Sequence, residues 1–197
     1  MENKTINYYN QNADAFIQGT VSVNFKETQD KFLRQLTGKK ILDFGCGSGR
    51  DTKYFLESGF DVTATDGSEK ICKKAKEYTG VHVKQMLFQE LNETNQYDGI
   101  WACSSILHLP KNELKMVFSK MITALRTEGI IYTSFKYGNF EGIRNERYFT
   151  DFTYENFCDF IKDIKNIEIS EYWITDDVRP GRENEKWLNT ILKKTTF

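Results

Sequence analysis

Histidine and proline are scarce. The 197 residues hold two of each, His82 and His108, Pro110 and Pro180. Proline therefore does not punctuate the chain, and no linker, low-complexity tract or internal repeat divides it, so a single domain over residues 1–197 is expected. Cysteine is limited to Cys46, Cys72, Cys103 and Cys158, far apart and with no C-x-x-C pair. With so few histidines, that spacing argues against a zinc site and a disulfide framework; no metal is expected, and a reducing cytoplasm suits the chain. No apolar run is long enough to cross a bilayer, and residues 1–7 lack the apolar region of a signal peptide, so no membrane association is expected. Neither sign of charge dominates: 27 basic and 28 acidic residues leave a net charge of −1. Composition offers no basic face for a duplex, and no nucleic-acid partner is expected.

What is present is a globular composition and one organising stretch. Residues 39–52 read KKILDFGCGSGRDT, an apolar strand that passes through Gly45, Gly47 and Gly49 into an amphipathic helix. Such a turn is a seat for a ligand. Glycine admits close approach to the backbone, and the exposed helix N–H groups favour oxygen acceptors and negative charge. The dinucleotide fingerprint G-x-G-x-x-G would need glycine where Arg50 stands, and the phosphate loop G-x-x-x-x-G-K-[ST] is absent.

Residues 1–37 read as two helical segments. The first places Tyr9, Ala13 and Phe16 on one face; the second, about 24–36, carries Phe25, Phe32, Leu33 and Leu36, with Gly38 as its C-cap. This unit is either a pair of packing helices or a lid with an aromatic inner face that excludes water. Strands at 40–44, 61–66, 81–85, 97–103 and 130–135 alternate with helices at 50–58, 68–78, 111–126 and 153–162, and strands at 166–174 and 187–194 follow. Ser68 is the expected N-cap of the helix at 68–78. Residues 136–152 are long, aromatic and charged without a clean period, and are expected as an irregular functional loop.

The pattern D-x-G-x-G-x-G from Asp43 to Gly49 resembles motif I of the class I S-adenosylmethionine-dependent methyltransferases. Asp66, 23 residues after Asp43 and at the end of the second strand, stands where that family has its ribose-binding acid. The fourth strand opens YDGIW, similar to the family, and SSILHLP at 104–110 resembles the S-x-L-H-H-L segment of its small-molecule branch. The base-methylation motif [DNS]-P-P-[YFW] is replaced by Cys-Ser-Ser-Ile, and no Pro-Cys dipeptide exists for cytosine-C5 chemistry. The chain resembles the tellurite-resistance and thiopurine-like methyltransferases, whose glycine loop also continues G-R-[ND]-[ST], and its last segment resembles a bacterial subgroup of generic methyltransferases. The family usually has an acidic residue after the third strand, where this chain has Leu87.

The resemblance implies an α/β fold: a Rossmann-like doubly wound sheet of about seven strands, mostly parallel with an antiparallel last strand, and helices on both faces. It implies S-adenosylmethionine as cofactor, S-adenosylhomocysteine as product, and a small-molecule acceptor, in a monomer or homodimer. The alternatives are a protein or RNA acceptor, or a non-catalytic regulatory module that binds the cofactor. Gly45, Cys46, Gly47 and Gly49 would let the methionine part approach the backbone, and Asp43 would orient its amine. Arg50 would either hold the methionine carboxylate or pair with a neighbouring aspartate. Tyr9 and Thr20 would close over that end. Asp66 and Gly67 would hold the ribose; Met86, Leu87 and Phe88 would contact the adenine, with Glu90 as a possible substitute for the missing acid; Cys103 would lie beside the sulfonium. His108 is the histidine placed to act as a base. On the acceptor side, Arg144 and Arg147, with Arg179 and Arg182, would either bind an anionic acceptor or pair with Glu141, Glu146 or Glu183. Tyr137 and Phe149, with Phe140 and Trp173, would either line an aromatic pocket or pack in the core.

Overall fold

The computed structural model describes residues 4–179, 181, 182 and 184–195. Three helices open the chain: α1 (Lys4–Gln11), α2 (Ala13–Thr20) and α3 (Lys26–Leu33). Then follow β1 (Lys40–Phe44), α4 (Arg50–Glu57), β2 (Asp61–Asp66), α5 (Glu69–Thr79), β3 (Val83–Gln85), β4 (Tyr97–Ala102), α6 (Lys111–Ala124) and β5 (Leu125–Lys136). A hairpin of β6 (Glu141–Arg144) and β7 (Arg147–Thr150) comes next, then α7 (Tyr154–Ile161), β8 (Ile167–Asp176) and β9 (Lys186–Lys194).

The main sheet has seven strands in the order β3-β2-β1-β4-β5-β9-β8. β1 to β5 run parallel, and β9 runs antiparallel to both β5 and β8. The chain winds outward from β1 to β3, then returns to β4 on the other side of β1. The crevice beyond the carboxyl ends of β1 and β4 is thus the switch point, where an open α/β sheet leaves room for a ligand.

Alternating residues divide the core into two layers, as the strand period of two requires. Leu42, Phe44, Ile100, Ala102 and Ile131 face α6 and α7, meeting Val117, Phe118, Met121 and Phe157. Ile41, Trp101, Ile130 and Tyr132 face α3 and α4, meeting Phe32 and Phe55. In that second layer Trp101 stacks on Tyr132 with centroids 3.9 Å apart.

Four local expectations are corrected. The first N-terminal segment is two helices, because Asn12 leaves the helical backbone (φ −109°, ψ 18°) and turns its side-chain amide onto the Tyr8 carbonyl at 2.9 Å. Gly38 does not cap α3, which ends at Leu33; a Cβ at Gly38 would lie 2.4 Å from the Asp98 carboxyl carbon, so glycine is required there by close packing. β5 begins at Leu125, not 130, because the strand continues through an irregularity opposite Tyr97 and Gly99 with Glu128 at positive φ. Residues 136–152 are not an irregular loop. They hold a two-stranded hairpin in which Arg144 pairs with Arg147 across Asn145 and Glu146, both at positive φ (50° and 63°). Such a primed two-residue turn matches the natural twist of the strands it joins.

Candidate active site

The glycine loop leaves β1 and turns back beneath β2. The Gly45 and Cys46 N–H groups both donate to the Thr65 carbonyl, at 3.0 and 2.8 Å. Gly45 has φ 87°, and a Cβ there would lie 2.5 Å from the Ser105 Cβ. Ser105 in turn donates to the Phe44 carbonyl at 2.6 Å, which ties the loop after β4 to the end of β1. The Asp66 carboxylate closes the cradle, accepting from the Gly47 N–H at 3.1 Å and the Ser68 N–H at 2.9 Å. It is therefore not a free carboxylate: it braces the loop and still faces the cavity. Burial pushes its pKa up to about 6, against the pull of the backbone N–H groups around it. Ser68 caps α5, as expected, by accepting from the Ile71 N–H.

One cavity opens from this cradle. Its donor end is lined by Gly45, Cys46, Gly47, Arg50, Asp66 and Gly67, with Met86, Leu87 and Phe88 as an apolar wall. Its roof comes from the N-terminal helices through Ile6, Tyr9, Phe16 and Thr20. Beyond β4 and β5 it is lined by Cys103, Ser104, His108 and Ser134, and at the far end by Lys136, Arg147, Phe149, Asp177, Arg179, Arg182 and Trp187.

Of the expected site residues, Asp43, Gly49, Tyr137 and Arg144 lie outside this lining, as do the further candidates Glu90, Phe140 and Trp173. Asp43 is 2% exposed beneath the loop, where it accepts from the Thr52 hydroxyl at 2.5 Å. Burial and the neighbouring Asp51 carboxylate push its pKa far above the ordinary carboxylate range. Gly49 lets α4 and α5 approach, since a Cβ there would lie 2.6 Å from the Thr79 methyl. Tyr137 is on the surface. Arg144 makes a bidentate pair with Asp151, both bonds 3.0 Å, between the Phe140 and Phe149 rings.

Of the two readings of Arg50, the structure has the pair with Asp51, at 2.7 and 2.9 Å. Asp51 also accepts from Gln29 at 2.7 Å and from the Trp101 indole at 2.8 Å, and the guanidinium lies over the Phe25 ring. Glu90 accepts the Leu87 N–H at 2.7 Å through Oε2 and is not part of the cavity lining. The Thr20 hydroxyl donates to the Phe16 carbonyl within its own helix. The Cys103 thiol is pushed up to about 12 by burial and remains protonated near neutral pH. Glu183 lies outside the described residues; Trp173 packs against the core and stacks loosely on Tyr132.

His108 bridges two parts of the chain. Its Nδ1 lies 2.6 Å from the Tyr148 carbonyl, which can only accept, so Nδ1 carries the proton. Nε2 then accepts from the Tyr9 hydroxyl at 2.8 Å. Burial, with Arg147 and Arg144 nearby, lowers the His108 pKa to about 4, so the ring is neutral.

The sequence pattern missed Lys136, Asp177 and Trp187. Asp177 accepts from the Trp187 indole at 3.0 Å, from Arg179 and from Lys136, which also pairs with Glu185. Those contacts hold Asp177 well below the ordinary carboxylate range, and burial lowers Lys136 to about 8. Lys136 faces Trp187 only because β9 is antiparallel to β5 in one register, and no local signal encodes that register.

Among the described residues there is no group of three or more His, Cys, Asp or Glu able to hold a metal ion, and no helix long and apolar enough to cross a membrane.

A switch-point crevice, a glycine cradle after β1 and an acid at the end of β2 define the Rossmann-like methyltransferase fold. Similar solved structures share it. The 1,6-didemethyltoxoflavin-N1-methyltransferase of Burkholderia thailandensis, crystallised with S-adenosylhomocysteine, superposes with TM-score 0.76 at 20% identity, over 97% of this chain and 85% of that one. The [4+2]-cyclase SpnF superposes with TM-score 0.75 at 12% identity, over 97% of this chain and 95% of that one, which shows that the fold alone does not fix the reaction. Residues 41–129 match the family model described as Methyltransferase domain. Over that stretch, which runs from β1 into β5, the chain is similar to this methyltransferase family. Among curated relatives, the putative methyltransferase YqeM of Bacillus subtilis is 31% identical over 49% of this chain and 44% of its own length. The chain spans about half the length of the curated relatives it matches.

Proposed function

We propose that this protein transfers a methyl group from S-adenosylmethionine to a small-molecule acceptor by in-line displacement. The observation that carries the reading is the continuity of one cavity, from the Asp66 cradle at the ends of β1 and β2 to His108 and Arg147 beyond β4. The residues present fit the cofactor. Asp66 is a carboxylate that faces the cavity and can accept from ribose hydroxyls, the Gly45 and Gly47 backbone beside it lines the same space, and the Met86–Phe88 wall offers apolar surface for a flat base. When bound, the cofactor supplies an electrophilic methyl on a sulfonium that departs neutral.

The protein's task is then alignment and exclusion of water. Tyr9 and Phe16, edge to face at 5.1 Å, roof the site, and Phe16 lies against Gly47. Cys103 and Ser104 form its floor between the two ends, with the Ser104 N–H fixed on the Ser134 hydroxyl at 2.8 Å. His108 offers a neutral Nε2 held in one tautomer, which can receive a proton once Tyr9 yields its place. Relatives and neighbours whose names state a small-molecule substrate support the acceptor class, among them the toxoflavin-precursor enzyme and ubiquinone biosynthesis O-methyltransferases.

The test is calorimetry with S-adenosylmethionine and S-adenosylhomocysteine, followed by a metabolite and lysate screen with methyl-labelled cofactor. Asp66→Ala should weaken binding by about 1.5–3 kcal/mol, the range for hydrogen bonds to charged groups. Unchanged affinity would remove the ribose assignment, and label in protein or RNA in place of small molecules would remove the acceptor class.

A further inference from the structure

Five cationic side chains line the cavity: Arg50, Lys136, Arg147, Arg179 and Arg182. Four have carboxylate partners. Arg50 pairs with Asp51, Lys136 with Asp177 and Glu185, Arg179 with Asp177, and Arg182 with Glu185. Arg147 has none among the described residues. Its guanidinium lies 4.4 Å over the Tyr8 ring and 5.2 Å from the Phe149 ring, its Nη1 reaches the Tyr9 hydroxyl at a long 3.5 Å, and its Nε is buried with no hydrogen-bond partner. Its neighbour Glu146 is exposed on the hairpin turn.

A guanidinium set among rings has lost part of its hydration, and a charge left uncompensated in that way costs stability. At this end Lys136, Arg179 and Arg182 share the Asp177 and Glu185 carboxylates, whereas Arg147 touches none among the described residues. The hairpin holds Arg147 firmly in this position. The Tyr148 N–H donates to the Thr5 hydroxyl at 3.0 Å and the Tyr148 carbonyl takes the His108 Nδ1–H, so the strand is tied to α1 and to the loop after β4. Arg147 and Phe149, two residues apart, present the same strand face to the cavity, and Phe149 meets His108 edge-on at 4.8 Å. The missing counter-ion is therefore the ligand's.

We infer that Arg147 is the specificity-determining residue of the acceptor subsite, and that the acceptor is a small organic carboxylate that forms a bidentate pair with that guanidinium beside Tyr9 and His108. The planar fork of the guanidinium matches a carboxylate in shape. The aromatic surround of Phe149 and Tyr9 favours a flat body attached to that carboxylate. The inference rests on the methyltransferase reading, because only that reading makes this end of the cavity the acceptor's.

The experiment uses the full chain saturated with S-adenosylhomocysteine, and follows benzoate, benzamide and phenyl phosphate by ligand-observed NMR titration. Benzoate should bind saturably and benzamide at least tenfold more weakly. Arg147→Gln should weaken benzoate at least tenfold and leave S-adenosylhomocysteine affinity unchanged; Arg147→Lys, which keeps the charge and loses the fork, should recover part of the loss. Unchanged cofactor-product affinity in both variants reports that they are folded. Equal binding of benzoate and benzamide, preference for phenyl phosphate, absence of benzoate binding, or indifference to Arg147→Gln each overturns the inference. Failure of the wild-type chain to bind S-adenosylhomocysteine at all overturns the methyltransferase reading instead.

Discussion

Tyr9 and His108, 99 residues apart in sequence, share a hydrogen bond of 2.8 Å, so the N-terminal helix is fastened to the floor of the cavity through the imidazole the active site would use. The same helix is also held by the Thr5 hydroxyl, which accepts from the Tyr148 N–H, and by Asn10, which accepts from the Ser68 hydroxyl. Displacing the Tyr9 hydroxyl frees Nε2.

Tyr9→Phe keeps the ring and removes the bond. It should cost about 0.5–1.5 kcal/mol, the usual net value of one hydrogen bond. Hydrogen exchange should show loss of protection concentrated in α1, with the strands of the sheet unchanged.

His108 is neutral in the folded protein because burial lowers its pKa from 6.5 to about 4. The unfolded chain takes up that proton near pH 6.5 and the folded chain only near 4, so the unfolded state binds more protons between these values. Stability should therefore fall as pH drops from about 6.5 towards 4. His108→Gln should flatten that part of a thermal-denaturation profile.

Asp66 sits at about 6 in the free protein, and only its ionised form can accept from two ribose hydroxyls. Binding of S-adenosylhomocysteine should be flat above pH 6 and weaken roughly tenfold per unit below it, by linkage. Calorimetry across pH on Asp66→Asn should give weaker binding without that slope.

Asp51 is 7% exposed and collects Arg50, Gln29 and Trp101. Removing it strands a buried guanidinium and an indole N–H together. Asp51→Ala should destabilise the fold by about 3–5 kcal/mol, the cost of breaking a buried pair, read from urea unfolding.

Gly49 stands at φ 78° with Thr79 in the place of its missing Cβ. Gly49→Ala should lose stability from left-handed strain of roughly 1–2 kcal/mol plus the clash. Thr79→Ser, which deletes the methyl, should restore the clash component alone in a double-mutant cycle.

Much of the fold was legible because its signals are local. The glycine loop, the Ser68 cap and the alternation of strands and helices are each written within a few adjacent residues, whereas the antiparallel last strand was expected only from the family resemblance. The hairpin at Glu141–Thr150 escaped because Asn145-Glu146 is not one of the common turn dipeptides, although the two-residue spacing between two short strands was there to read. The break at Asn12 and the early start of β5 depend on side-chain and cross-strand bonds that periodicity does not encode.

The sequence by itself marked the cradle at the switch point: Gly45 and Gly47 follow an apolar strand, and Asp66 follows at the end of the next strand. Only the tertiary structure decided how each charge is used. Asp43, adjacent in sequence to the loop, is buried beneath it; Arg50 is paired with Asp51; Arg144 is paired with Asp151; and Arg147, three residues on, has no carboxylate partner among the described residues on the cavity wall. Charge pairing depends on strand register and helix packing across the whole chain, and a linear sequence carries the charges without saying which of them will meet.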